Sequence, residues 1–216
     1  MLEARLSEPE VKEVYGKMAR FYDFWAHLTE GKARTFGLEK SGIRNGMSIL
    51  EVAVGTGLLF EQIVGKNPNG RNVGVDLTEE MLDRARRRLA GITSGCELKI
   101  GNALALEFEE ESFDLVFNCY MLDLLPFEKI DAALTELRRV LKPDGKLVLV
   151  NMTEGKSPVS RIYQTLYRIS PRLMGGCRAL RMREKVLEKG FEIEHFEYFV
   201  QMFFPSEVIV AKKTNG

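Results

Sequence analysis

The stretch LEVAVGTGLLF, residues 50–60, decides how the rest of the chain is interpreted. Residues 48–54 form an apolar run rich in branched side chains, which is typical of a buried parallel strand. Gly55 and Gly57 then predict a tight turn, and residues 58–66 have the pattern of a helix. A strand that enters a helix through a glycine turn is a common binding site for a nucleotide-like cofactor. The stretch alone leaves open which cofactor binds.

Strands and helices alternate beyond this turn. The alternation predicts a parallel sheet with helices on both faces. Two later strand-like segments are joined by a short connection, so we expect them to be antiparallel. The predicted fold is therefore α/β, with a Rossmann-like mixed sheet. The further predicted strands span residues 72–76, 96–100, 113–118, 146–151, 192–200 and 207–212.

Composition and charge exclude several classes of protein. The 216 residues include 31 basic and 31 acidic side chains, and a net charge of zero argues against a protein devoted to nucleic-acid binding. The charged start lacks the hydrophobic run of a signal peptide, and no segment approaches the ~20 apolar residues of a membrane span. Three cysteines far apart fit a reducing compartment and no zinc site. We expect a cytoplasmic protein without a metal.

An acidic residue at the end of the second predicted strand narrows the choice of cofactor. Asp76 follows Gly57 at about the spacing that lets a carboxylate reach ribose hydroxyls. The dinucleotide fingerprint needs a small residue where this chain has Phe60, so a pyrophosphate fits poorly. S-adenosylmethionine has a ribose and no pyrophosphate, which favours it. An NAD(P)-dependent oxidoreductase is the alternative, disfavoured by Phe60 and by the lack of an evident Tyr-x-x-x-Lys pair.

An ordered set of motifs then resembles one family. LEVAVGTG, VD, GNALALEF, ESFDLVFNCY and LRRVLKPDGKLVLV follow one another over residues 47–150. In this order they resemble the class I S-adenosylmethionine-dependent methyltransferases, whose sheet has seven strands with the last one reversed. Residues 14–34 further resemble the ubiquinone/menaquinone C-methyltransferases and the bacterial phospholipid N-methyltransferases. Ala53 stands where many relatives have glycine, and we expect its methyl group to trim the space near the turn without abolishing binding.

The resemblance implies a set of cofactor-binding residues. Asp76 would hold the ribose, while Leu77 and Met81 would flank the adenine unless they are ordinary core residues. Asn118 and Cys119 would border the transferred methyl group. The full implied set is Glu51, Gly55, Thr56, Gly57, Asp76, Leu77, Met81, Asn102, Ala103, Asn118 and Cys119.

Methyl transfer from a sulfonium needs mainly alignment of donor and acceptor and exclusion of water. A phenol or a ring carbon as acceptor also needs a proton removed. Asp123, in the apolar stretch YMLDLLP, would have a raised pKa if it were buried; the alternative is a helix cap or a solvated loop carboxylate. The candidates for this proton are Asp123, Tyr120, His27 and Tyr22.

The acceptor is expected to be a small apolar or lipid-like molecule, such as a quinone precursor or a phospholipid. Nucleic acid is not expected, because the Asn/Asp-Pro-Pro-aromatic motif is absent after the fourth strand. Residues 160–183 have the pattern of a basic amphipathic helix, which predicts peripheral membrane contact or a lid on the core. A catalytically silent protein that binds S-adenosylmethionine is the other alternative.

The chain is predicted to be a single domain with two appended parts. Residues 1–45 have a helical pattern and are expected to form a cap, in which Gly31 ends one helix and a second runs to Gly42. Residues 46–216 would form the methyltransferase core. Residues 155–181 would be a lid inserted on the acceptor side of that core.

Overall fold

The structure is a computed structural model and describes residues 9–10, 13, 29–92, 95–155, 158–170 and 176–214. Within these residues seven strands form one sheet in the order β3-β2-β1-β4-β5-β7-β6. Only β7 among them runs against its neighbours β5 and β6, which confirms the predicted mixed sheet. The strands are β1 (Ser48–Val52), β2 (Arg71–Asp76), β3 (Cys96–Ile100), β4 (Phe113–Cys119), β5 (Leu141–Met152), β6 (Phe191–Gln201) and β7 (Phe204–Lys213).

Helices cover both faces of this sheet. Helix α1, which the structure describes over residues 29–40, contains Gly31, so the expectation that Gly31 ends a helix is wrong. The other helices are α2 (Leu58–Lys66), α3 (Glu79–Arg88), α4 (Phe127–Val140), α5 (Pro158–Ile169) and α6 (Arg183–Glu188), with a short 3-10 helix at Leu122–Leu124.

The continuous apolar runs of the central strands follow from burial on both faces. Ile49 packs with Leu59 and Ile63 of α2 on one face. Its neighbour Leu50 packs with Leu134 of α4 on the other face. Because successive strand residues point to opposite faces, a strand covered on both sides is apolar over most of its length, and Glu51 is the buried polar exception in β1.

Strand β5 begins earlier than its hydrophobic pattern predicts. Leu141 already pairs with Phe113, and regular pairing resumes only where Lys146 lies opposite Leu115. The residues between form a turn, with Asp144 in a left-handed conformation at φ 60°. The turn therefore interrupts β5 without ending it, because β5 pairs with β4 on both sides of the turn.

The sheet order reverses between β1 and β4, which places a crevice at the carboxyl ends of these two strands. Helix α1 packs closely on the sheet, because a Cβ on Gly37 would lie 3.0 Å from Val148 Cγ1 of β5. Glycine at this point lets the helix backbone rest on the sheet.

Candidate functional site

The glycine turn after β1 has two glycines with different neighbours. Gly55 and Gly57 both have positive φ, 55° and 80°, which favours glycine. A Cβ on Gly57 would lie 3.1 Å from Ala85 Cβ of α3, so this glycine allows helix and turn to pack. A Cβ on Gly55 would meet nothing within 4 Å. The open space beside Gly55 is where a ligand can approach the backbone.

Ala53 precedes this turn in a left-handed conformation, with φ 63°. A side chain in that conformation costs about 1–2 kcal/mol. The effect of replacing glycine at this position is therefore backbone strain in addition to the volume of one methyl group.

Asp76 ties the end of β2 to the glycine turn. Its Oδ2 accepts a hydrogen bond from the Gly55 backbone N–H at 2.8 Å. Its Oδ1 accepts from the N–H of Thr78 at 3.1 Å and from the Thr78 hydroxyl at 2.9 Å. Burial raises the pKa of Asp76, and these hydrogen bonds oppose that rise. The carboxylate is thus fixed at the crevice, as its predicted role at a ribose requires.

A contact that the sequence did not reveal braces the same turn from α3. Arg88 Nε donates a hydrogen bond to the carbonyl of Thr56 at 2.9 Å, and its Nη1 lies 3.4 Å from Glu61. Arg88 therefore links α3 to the turn and to α2.

The residues predicted at the adenine lie around the ends of β2 and β3. Met81 is buried and Leu77 half-buried. Asn102 is exposed, and its Oδ1 accepts from the Leu104 N–H at 2.9 Å. The Gly101 N–H donates to the Asp76 carbonyl at 2.9 Å, which brings the loop carrying Asn102 and Ala103 beside Asp76.

Two buried polar side chains on neighbouring strands each have an oxygen without a hydrogen-bond partner among the described residues. These atoms are Glu51 Oε2, on β1, and Asn118 Oδ1, on β4. Asn118 Nδ2 donates to the Val52 carbonyl at 2.9 Å and so fixes the amide. Burial raises the pKa of Glu51 well above its ordinary value. Buried acceptors without a donor are costly unless a ligand supplies one.

These observations fit S-adenosylmethionine. Its ammonium group can donate to the unpartnered oxygens of Glu51 and Asn118, and its ribose diol can donate to Asp76. The space beside Gly55 admits the methionine chain. Phe60, on α2, is fully buried in a cluster with Val54 and Leu82, so it fills the volume that a dinucleotide fold leaves to a small residue.

Glu30 and Arg34, both on α1, join the site although the sequence analysis did not select them. Arg34 Nη1 lies 3.6 Å from Glu30 Oε2, one helical turn away, and both side chains are largely buried. The Arg34 guanidinium also acts to lower the pKa values of Glu51, Cys119 and Tyr120. In the sequence, only the acid four residues before a base could have pointed to this pair. Such pairs are also common on solvated helices, so the spacing does not distinguish a buried pair.

Asp123 is fully buried in the 3-10 helix, so the alternative of a solvated loop carboxylate is excluded. Its Oδ2 accepts from the Met152 N–H at 3.1 Å, and its Oδ1 has no hydrogen-bond partner among the described residues. Burial raises its pKa to about 7, against the effect of the Met152 hydrogen bond and of Arg178. Arg178 Nη1 donates to the Asp123 carbonyl at 3.2 Å. The helix-cap alternative also fails, because the cap position belongs to Met121.

The other proton-transfer candidates differ from Asp123. Burial raises the pKa values of Tyr120 and Cys119 well above their ordinary values, so both stay protonated near neutral pH. The Tyr120 hydroxyl lies 2.9 Å from Ser206 Oγ, and its backbone is left-handed with φ 54°. Tyr22 and His27 lie outside the described residues.

An apolar cluster, which we call the acceptor-side cluster, adjoins these groups at the ends of β4, β5 and β7. It receives side chains from α1 and α5 as well as from the sheet. Phe36 of α1 contacts Phe199 of β6 with ring centroids 5.2 Å apart. The buried members are Ala33, Tyr120, Val150, Met152, Tyr167, Cys177, Phe204 and Val208.

The described residues contain no group of three His, Cys, Asp or Glu side chains arranged to hold a metal ion. Among the same residues, no helix combines the length and the apolar character that a membrane crossing requires.

Comparison with known proteins identifies the family. A methyltransferase domain model matches residues 49–145. A ubiquinone/menaquinone biosynthesis C-methyltransferase, UbiE of Hahella chejuensis, is 34% identical over 182 residues, which cover 80% of this chain and 72% of that protein. This chain belongs to the class I S-adenosylmethionine-dependent methyltransferases, in the UbiE group. The predicted cofactor and enzyme class of this methyltransferase are thereby confirmed.

Two further relatives place this methyltransferase within its fold. A demethylmenaquinone methyltransferase of Lactobacillus johnsonii is 28% identical over 214 residues, covering 87% of each chain. The crystal structure of the [4+2]-cyclase SpnF superimposes with a TM-score of 0.76 at 16% identity, over 97% of each chain. The cyclase likeness concerns the fold alone, and its name shows that one fold can serve different reactions.

Proposed function

We propose that this methyltransferase methylates a small apolar acceptor of the quinone-precursor type, and that Asp123 takes the proton that the acceptor loses. The observation that carries the proposal is the buried Asp123 carboxyl, whose Oδ1 has no hydrogen-bond partner among the described residues. A base held in this state beside an apolar surface suits an acceptor that must be deprotonated.

The acceptor-side cluster supports an apolar substrate. Its surface comes from aromatic and aliphatic side chains of α1, α5 and the strand ends, with Asp123 and Glu30 as acidic groups nearby. Such a surface stabilises a ring or a hydrocarbon chain through burial of apolar area. The relatives named for ubiquinone and menaquinone biosynthesis act on acceptors of that character.

The buried acid favours the quinone-type acceptor over the phospholipid type. A neutral amine on a phospholipid head group is already nucleophilic and needs little assistance from a base. A phenol or a ring carbon gains most from a group that accepts its proton. The burial of Asp123, with a pKa of about 7, therefore matches the first kind of acceptor better.

Bound S-adenosylmethionine supplies an electrophilic methyl group on a sulfonium. The chain's own residues would hold it, with Asp76 at the ribose and Glu51 and Asn118 at the ammonium. Met152 fixes Asp123 by donating to Oδ2, which leaves Oδ1 to receive a proton. Because the pKa lies near 7, the receiving carboxylate form prevails above that pH.

Helix α5 would form the lid and meet a membrane surface. Its Tyr167 is buried in the acceptor-side cluster, whereas Ile162 and Ile169 are 48% and 76% exposed. These two isoleucines lie seven residues apart on one helical face, beside the exposed Arg168. An apolar acceptor dissolved in an anionic bilayer would reach the site past this face.

The acceptor is tested by transfer of a radiolabelled methyl group from S-adenosylmethionine. The purified protein is incubated separately with a short-chain demethylated quinol, with phosphatidylethanolamine vesicles and with RNA. We expect label in the quinol alone. Label only in phosphatidylethanolamine would favour the phospholipid alternative, and label only in RNA would overturn the apolar acceptor. Cofactor binding without label in any acceptor or in a fractionated cell extract would favour the catalytically silent alternative.

A further inference from the structure

The glycine turn contains a peptide group, between Val54 and Gly55, that is bonded at both ends. Its N–H, on Gly55, donates to Asp76 Oδ2 at 2.8 Å. Its carbonyl, on Val54, accepts from the Gly57 N–H at 3.0 Å. The Asp76 carboxylate therefore fixes the orientation of this peptide group from one end, and the Gly57 N–H fixes it from the other.

A second peptide group, between Thr56 and Gly57, continues this chain of hydrogen bonds. Its N–H is the one that the Val54 carbonyl accepts, and its own carbonyl accepts from Arg88 Nε at 2.9 Å. The chain therefore runs from the guanidinium of Arg88 through both peptide groups to the carboxylate of Asp76. Hydrogen bonds in such a chain polarise one another, and a charged group at each end strengthens them further. Arg88 thus holds one end of the turn as Asp76 holds the other.

The bond from Arg88 matters because glycine allows the turn to change its shape. Gly57 has φ 80°, and glycine adopts positive and negative φ about equally well. The peptide group between Thr56 and Gly57 can therefore rotate at little steric cost unless both of its ends are held. Thr56 is only 2% exposed, so water would replace Arg88 poorly as a donor to its carbonyl.

Arg88 reaches the turn at Gly57, whereas the open space for a ligand lies at Gly55. A Cβ on Gly57 would meet Arg88 Cδ at 3.7 Å, and a Cβ on Gly55 would meet nothing within 4 Å. Arg88 Nη1 also lies 3.4 Å from Glu61 Oε2 of α2, which gives the guanidinium a second point of attachment. These contacts indicate that Arg88 acts on a ligand through the backbone of the turn.

We propose that Arg88 is a positioning residue for the methionine chain of S-adenosylmethionine. By holding the Thr56 carbonyl, it keeps the turn in the shape that receives this chain before the cofactor arrives. The role rests on the cofactor placement used in the proposed function and is independent of which acceptor is methylated. A site that is shaped in advance loses less binding free energy to ordering. Loss of Arg88 should therefore weaken those ligands that carry the methionine chain.

Calorimetric titration without any acceptor tests this role. The two ligands are S-adenosylmethionine and methylthioadenosine, which lacks the methionine chain beyond its sulfur and methyl group. Their dissociation constants are determined for the wild type, Arg88→Gln, Arg88→Lys and Arg87→Gln. Arg88→Lys keeps the charge and a single donor group. Arg87→Gln is the matched control, because Arg87 is an exposed arginine beside Arg88 in the last turn of α3.

We expect Arg88→Gln to bind S-adenosylmethionine about tenfold more weakly and methylthioadenosine within about twofold of the wild type. Arg88→Lys should recover part of the loss, and Arg87→Gln should match the wild type. Wild-type affinity of Arg88→Gln for S-adenosylmethionine would overturn the proposal. Equal losses for the two ligands would also overturn it, because they would show general damage to the site.

Amide hydrogen exchange supplies a measurement on the wild type alone. In the cofactor-free protein, the Gly57 N–H should exchange at least about 100-fold more slowly than in an unstructured peptide, because its peptide group is bonded at both ends. Exchange at the unstructured rate would overturn the proposal even if Arg88→Gln failed to fold. A failed methyl-transfer assay would refute the proposed acceptor without changing these binding constants.

Discussion

The two sides of the site are built in different ways. The cofactor side comes from a short span of the chain, where Asp76 is bonded to Gly55 and Arg88 to the Thr56 carbonyl. The acceptor side is assembled from α1, the 3-10 helix, the strand ends and α5. Its acids Glu30 and Asp123 are buried, and each keeps one oxygen without a hydrogen bond among the described residues. The difference indicates that the glycine turn is held by satisfied contacts, while the acids of the acceptor side are held at a cost.

The largest effect on the cofactor side is expected from Asp76→Ala. The change removes the proposed ribose partner and the acceptor of the Gly55 N–H, so we expect S-adenosylmethionine to bind at least about 100-fold more weakly. Calorimetric titration measures the loss. Unchanged affinity in a folded variant would refute the role of Asp76 and the rigid character assigned to this side.

On the acceptor side, the two buried acids should make the stability of the folded protein depend on pH. Glu30 and Asp123 have pKa values of about 7 in the folded protein, above their ordinary values of 4.5 and 3.8. The folded state therefore binds more protons than the unfolded state between about pH 4 and pH 7. The free energy of unfolding is therefore highest below about pH 4, and it decreases as the pH rises through about 7.

Glu30→Gln removes one of these groups and should be more stable than the wild type at pH 8 by about 3 kcal/mol. At pH 4 the variant should lie near the wild type. Urea unfolding at both pH values measures the difference, with Glu39→Gln as the exposed control. Equal pH dependence in Glu30→Gln and the wild type would show that Glu30 is not held as a costly buried acid.

The two glycines of the turn should separate binding from folding. Gly57→Ala places a Cβ 3.1 Å from Ala85 Cβ in a left-handed backbone, and we expect a loss of about 1–2 kcal/mol of stability. Gly55→Ala carries a similar backbone cost, but its Cβ enters open space and should also weaken S-adenosylmethionine binding. Thermal unfolding and titration of both variants test this. Equal loss of affinity in the two would contradict the assignment of the space beside Gly55 to the ligand.

The smallest effect is expected from Ala53→Gly. Removing the side chain relieves the left-handed strain at φ 63°, while glycine adds entropy to the unfolded chain. The net gain should be below about 1 kcal/mol. Differential scanning calorimetry measures this gain, and cofactor affinity should stay within about twofold. A clear loss of stability would show that the Ala53 methyl group contributes packing that outweighs the strain.

The same contrast explains what the sequence could predict. The strand order, the glycine turn and the Asp76 position follow from motifs that lie close together in the chain, and the family resemblance covers them. Glu30 escaped notice because its burial arises only in the folded structure. The early start of β5 was also missed, because Pro143 and Gly145 interrupt the apolar pattern while pairing continues around them.

Asp123 was recognisable as a candidate because it interrupts an apolar stretch, but its burial depended on contacts with Met152 and Arg178 far along the chain. Sequence periodicity carries no information on such contacts. The sequence also left open whether Leu77 and Met81 flank the adenine or are ordinary core residues. In the structure Met81 is buried, whereas Leu77, next to Asp76, is half-buried.

The pH dependence of methyl transfer by the wild type and by Asp123→Asn tests the central claim most directly. With the acceptor identified, the wild-type rate should rise as the pH passes through about 7, because the carboxylate form of Asp123 receives the proton. Asp123→Asn should transfer the methyl group about 100-fold more slowly, without that rise and with unchanged cofactor affinity. A variant that keeps the wild-type rate and pH profile would contradict the assignment of Asp123 as the base.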